Sequence, residues 1–171
     1  MVNSIITSAI SNPALSIFIL GILFAIVVLL LKQKPLGEGT VVEVLFSYYL
    51  LFSIGINYLV NFILHVFFGK MIASFIGWAD SPFQLEVGFA SLGFAVVGFL
   101  AFRGSFGMRA AAVTGPAFFL LGAAGGHIYQ MIEAGNFAPG NAGTVFWMDI
   151  ILPLVGFVLL YLSHKSKKQT V

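Results

Sequence analysis

"ALSIFILGILFAIVVLLL" (residues 14–31) decides what kind of object this chain is. The run carries no charge, and its single hydroxyl belongs to Ser16. An unbroken apolar stretch of this length is what a membrane-crossing helix requires, whereas barrel strands alternate polar and apolar side chains. The rest of the chain agrees. Of its 171 residues 60% are hydrophobic and 8% charged, and eight basic and six acidic side chains cannot clothe so apolar a core in water. The solvent is therefore lipid, where a backbone that must satisfy itself forms helices or a closed barrel. The expected fold is all-α, a polytopic membrane helix bundle forming one integral membrane domain over residues 1–171.

Five segments have the length and apolarity of a span: about 13–31, 40–69, 83–102, 109–133 and 144–163. Asn12 suits the cap and Pro13 the first turn of the first helix, which extends upstream in this reading. The opening "MVNSIITSAISN" lacks a basic leader, so the first helix is expected to be retained rather than cleaved. With five spans, Lys32, Lys34, Arg103, Arg109, Lys165, Lys167 and Lys168 share one side, and Lys70 alone takes the other. The positive-inside rule then places the N-terminus outside and the C-terminus in the cytoplasm. The link "KMIASFIGWADSP" (70–82) is too short to cross, and with Trp78 near its end it suits a short helix in the outer interface between spans two and three, or a re-entrant turn. "EAGNFAPGNAGT" (133–144) is turn material.

The chain contains no cysteine, which excludes disulfides, thiolate metal sites and covalent haem attachment. Its net charge of +2 sits at helix ends, where membrane orientation accounts for it; no nucleic-acid partner is expected.

"GAAGGHIYQMIEAGN" (122–136) puts His127, Gln130 and Glu133 on an otherwise apolar helix. Three more ionisable residues, His65, Glu86 and Asp149, stand on the second, third and fifth helices. Each of the four, His127 included, lies five or six residues inside its outer helix end, roughly 8–9 Å at 1.5 Å per residue. Four helices thus bring His, Glu, His and Asp to one level of the outer leaflet. Asn57, Asn61 and His65 follow at i, i+4 and i+8 as a polar stripe, and Gln130 shares the face of His127. Pro153 removes the helical donor for the carbonyl of Asp149. Asp80, Glu86, Glu133 and Asp149 give the outer half a cation-attracting mouth, while Glu38 and Glu43 sit at the inner interface.

Two imidazoles and two carboxylates are a fitting shell for a divalent transition metal such as Zn, Mn or Fe(II), drawn one ligand per helix. On that reading His65, Glu86, His127 and Asp149 are the ligands, with Asn57, Asn61, Gln130 and Glu133 as a polar pathway or surrounding shell. An open position would serve membrane-embedded chemistry, and loose binding would serve ion transport. Without metal, the same groups suit a proton relay. His65 and His127 as axial ligands of haem b are a third reading, which two buried acids disfavour. Set against all three is plain interhelical hydrogen bonding, at about 0.6 kcal/mol per bond.

Gly88, Ser91, Ala95 and Gly98 form one small-residue face on the third helix, allowing close approach within the bundle or in a homo-oligomer; Phe89, Leu92, Val96 and Phe99 form the bulky face. The stretches "GWADSPFQLEVGFASLGF" (77–94) and "GGHIYQMIEAGNFAPGNAGTVFWMDIILP" (125–153) resemble a group of small uncharacterised multi-pass membrane proteins of bacteria and archaea. The resemblance covers under a third of the chain. It implies a prokaryotic cytoplasmic membrane and supplies no activity. A polar site for transport or chemistry is the leading expectation, and an accessory subunit of a larger membrane complex is the alternative.

Overall fold

The structure is a computed structural model that describes residues 12–32 and 36–168, without the side chains of residues 167 and 168. Lys34, the side chains of Lys167 and Lys168, and the expected extension upstream of Pro13 lie outside the described residues.

Five helices are long and apolar enough to cross a membrane: Pro13–Leu31, Glu38–Phe67, Phe83–Ala101, Phe106–Glu133 and Pro139–Ser166. The chain is a multi-pass membrane protein. Its elements are α1 (Pro13–Leu31), α2 (Glu38–Tyr49), a π-helix (Leu50–Ile56), α3 (Asn57–Phe67), α4 (Gly69–Ile76), α5 (Phe83–Ala101), α6 (Phe106–Glu133), α7 (Pro139–Ala142) and α8 (Thr144–Lys168). The second span is therefore α2, the π-helix and α3 in one continuous rod. The short helix expected after it is α4.

The outer surface, unlike that of a water-soluble protein, is apolar. Leu23, Leu30 and Leu31 of α1 are exposed, and only Gly21 and Ala25 of that helix are buried. The interior is Phe46, Leu50, Ile54, Tyr58, Met148 and Leu152, where the second span meets α5, α6 and α8. α6 packs chiefly on α8, and α3 on α5.

The small face of α5 is used within the chain. Gly88, Ser91, Ala95 and Gly98 are all buried, and Gly98 meets the backbone of Gly55 in the π-helix so closely that a Cβ there would stand 2.5 Å from its nitrogen. Phe99 lies over Gly55 in the same way. Tyr49 and Tyr58 send their hydroxyls across the bundle to the carbonyls of Leu152 (2.9 Å) and Pro116 (3.2 Å). Gly156 makes room for the first, since a Cβ would lie 2.7 Å from the Tyr49 hydroxyl. These bonds use carbonyls at or next to the two in-helix prolines, Pro116 and Pro153.

At the Lys/Arg end, Arg109 is buried and makes a fork-to-fork pair with Glu43. Its Nη1 donates to Oε2 and its Nη2 to Oε1, both at 2.7 Å. Further bonds run to the carbonyls of Ala101 (3.2 Å) and Phe102 (3.1 Å), the last residues of α5 and its cap. One guanidinium thus ties α2, α5 and α6 together. A pair 66 residues apart has no local signature, so in the sequence Arg109 reads only as a topology signal and Glu43 only as an interface residue. Glu43→Ala is expected to lower stability by about 1–3 kcal/mol, as a charge-assisted pair is lost while the buried Arg109 keeps its bonds to Ala101 O and Phe102 O. Thermal unfolding of the purified protein checks it, and an unchanged midpoint would show that the carbonyl bonds suffice.

Candidate functional site

The far end of the bundle is closed by a cap built on Asn141. α4 ends in a left-handed glycine, Gly77 (φ 76°), with Trp78 N–H turned back to Ala73 O (2.9 Å) and Gly77 N–H to Ser74 O (3.2 Å). This Schellman turn aims the indole of Trp78 across the bundle, over Gly126 and beside the ring of His127, 5.3 Å between centroids. α6 ends at Glu133, and the second left-handed glycine, Gly135 (φ 60°), lets Asn136 N–H return to Gln130 O. Asn136 then donates to the carbonyls of Ile76 and Gly77, joining this loop to the end of α4.

Asn141, on α7, is fully buried and uses its whole amide. Its Nδ2 donates to His127 O (3.2 Å) and Asn136 O (2.8 Å). Its Oδ1 accepts from Trp78 Nε1 (2.8 Å) and faces His127 Nδ1 (2.8 Å). An indole N–H only donates and a backbone carbonyl only accepts, so the orientation of the amide follows from its neighbours. His127 Nδ1 must then carry hydrogen and donate to Oδ1. The tautomer is decided by three contacts that do not involve the imidazole.

The other ring nitrogen faces Asp149: His127 Nε2 stands 3.5 Å from Asp149 Oδ2, and both residues are buried. With Nδ1 already protonated, a neutral imidazole presents a lone pair to the carboxylate. Two acceptors facing one another repel, so the contact is favourable only with a proton on Nε2 or on Asp149. His127 and Asp149 thus form a dyad whose contact calls for one proton between them.

The remaining predicted residues do not join it. His65 is hydrogen-bonded through Nδ1 to Gln84 Oε1 on the first turn of α5. Glu86 comes two residues after Gln84, roughly 200° round the helix, and it is exposed. Since Gln84 faces His65, Glu86 points away. Among the described residues no three His, Asp or Glu side chains are gathered as a metal shell. Asn61 donates to Ser91 Oγ (2.8 Å), which donates to Val87 O, so Asn61 and His65 of the polar stripe both bond to side chains of α5. Asn57 and Gln130 are half-buried and Glu133 is exposed.

Sequence reasoning missed Asn141, Asn136 and the Trp78 indole as parts of the site. Asn141 sits in a Gly/Pro/Asn stretch that reads as a turn, and only its burial distinguishes it. The signal available in advance was Trp78, an indole donor that needs a partner when its ring is packed.

A family model described as a family of unknown function, DUF6790, matches residues 11–169. No curated protein and no solved structure matches the chain.

Proposed function

We propose, for a chain that belongs to DUF6790, that His127 and Asp149 form a proton-binding site inside the membrane and that the site serves proton transfer. The carrying observation is the pair of contacts on one ring: Asn141 Oδ1 faces Nδ1 at 2.8 Å and Asp149 Oδ2 faces Nε2 at 3.5 Å, an arrangement that suits a hydrogen on Nδ1 and one titrating proton between Nε2 and Oδ2. Ionisable groups within spans mark ion and proton pathways, and an imidazole paired with a carboxylate exchanges a proton with little rearrangement. By the positive-inside rule the Lys/Arg end faces the cytoplasm, so the dyad lies toward the outer face. Asp80 and Glu133, exposed at that end, favour the approach of cations.

The test is flux. Full-length protein in vesicles holding a pH-sensitive dye, driven by a potassium diffusion potential, is expected to move protons at least about tenfold faster than Asp149→Asn or His127→Gln, the range that removing a proton-transfer group produces. Glu86→Gln, at an exposed position, leaves the rate unchanged. Vesicles that acidify no faster with the wild-type protein than without it reject the transfer role.

One observation favours a second reading, a divalent metal. A histidine whose Nδ1–H is held by an amide oxygen is oriented as ligating histidines are, with Nε2 and Asp149 as two of the four donors that Zn takes. Elemental mass spectrometry on protein purified without chelators or a His tag decides it. A near-stoichiometric metal lost in His127→Ala would replace the proton reading.

A further inference from the structure

We propose that the cleft at the Lys/Arg end is a binding site for a phosphate-bearing anion. It has a volume of about 390 Å³ and lies between the end of α1, α2 and the turn from α5 to α6. Lys32, Arg103 and Arg109 line it, against one carboxylate, Glu43. Glu43 is already committed to Arg109 by two 2.7 Å bonds. Lys32 and Arg103 are exposed, and among the described residues neither has an ion-pair partner. The three cations and one anion leave the cleft with two uncompensated positive charges, which the phosphate of an anion would balance.

The donors suit phosphate. Arg103 presents a planar fork and Lys32 a mobile point charge, the two usual means of holding a phosphate oxygen set, and Ser47 and Tyr48 line the same space. Arg109 serves as the floor: its bonds to Ala101 O, Phe102 O and Glu43 hold the α5–α6 turn that carries Arg103. From the cleft an aromatic row runs along the bundle, Phe102 to Tyr48 (5.7 Å), Tyr48 to Phe52 (6.3 Å) and Phe52 to Phe24 (5.1 Å). Phe24 is 51% exposed, so the row opens on the apolar outer surface. A basic pocket leading into a row of aromatic rings on the apolar surface matches a phospholipid headgroup with its chain laid alongside; a free phosphate would use the charged part alone.

The two sources separate in one experiment. Full-length protein, delipidated in a neutral detergent, is melted with sodium phosphate against sodium chloride of equal ionic strength. A parallel series uses micelles doped with phosphatidylglycerol against phosphatidylcholine. A higher midpoint with phosphatidylglycerol but not with phosphate supports the proposal with a lipid as ligand, and a higher midpoint with phosphate supports it with a soluble anion. In either case Lys32→Gln with Arg103→Gln is expected to bind at least about tenfold more weakly, for the loss of two charge-assisted contacts. Should the double variant not fold, each single variant, at an exposed position, is expected to lose part of the shift. A wild-type midpoint that neither ligand raises, or variants that respond as the wild type does, would overturn the proposal.

Discussion

Replacing Asn141 with alanine is expected to lower the stability of the chain by about 2–4 kcal/mol and to move the emission of Trp78 to the red. One fully buried amide makes four hydrogen bonds that join the segment after α4, the end of α6 and the loop before α8. At about 0.6 kcal/mol each in a membrane protein, four bonds come to about 2.4 kcal/mol. Truncation also strands the Trp78 and His127 N–H groups without their acceptor, which adds to the loss. Asn141→Asp is no remedy, because a carboxylate cannot donate to the two carbonyls that Nδ2 serves. The chain has two tryptophans, so a Trp147→Phe background isolates the Trp78 signal. The same variant releases the His127 tautomer and is expected to slow proton flux along with Asp149→Asn. A wild-type midpoint with unchanged Trp78 emission would show that Asn141 does not hold the cap.

Gly98→Val is expected to be at least as damaging, costing about 3 kcal/mol or more, while Gly93→Val, five residues earlier on the same helix, costs little. A Cβ at Gly98 would meet Gly55 N at 2.5 Å, and Gly55 Cα and Ile54 C at 2.9 Å each. All three are backbone atoms that no rotamer change can move aside. The α5 helix must therefore part from the π-helix, opening the packing of Ile54 and Ala95, both buried there. Gly93 is exposed and a Cβ on it meets nothing within 4 Å. Unfolding midpoints of the two variants in the same detergent make the comparison. Equal midpoints would mean that the contact at Gly55 opens without cost.

The dyad and the Gly55–Gly98 contact mark the boundary between what was legible in the sequence and what was not. Hydropathy over some twenty residues is a local property, and it determined the solvent, the five spans and their limits. The first span runs Pro13–Leu31 as expected, and the others agree to within a few residues apart from the longer C-terminal end of α8. The same local reading found α4 and picked out His127 and Asp149 as residues that needed explaining. Depth along a helix follows from residue count, and it was on depth that His65, Glu86, His127 and Asp149 were grouped.

Azimuth does not follow from residue count. Helix rotation and packing decided that His65 turns to Gln84, that Glu86 faces outward, and that His127 and Asp149 alone come together. The π-helix at Leu50–Ile56 has no compositional mark, because it differs from its α-helical neighbours only in which carbonyl each N–H finds. Asn141 and the pair of Arg109 with Glu43 likewise depend on partners far off in the chain, and only the closed bundle supplies them. The sequence by itself determined the spans and, by residue count, how far each polar residue stands from its helix end. The tertiary structure decided which of them touch, because side-chain contact depends on the rotation of each helix about its axis, and packing against the neighbouring helices sets that rotation.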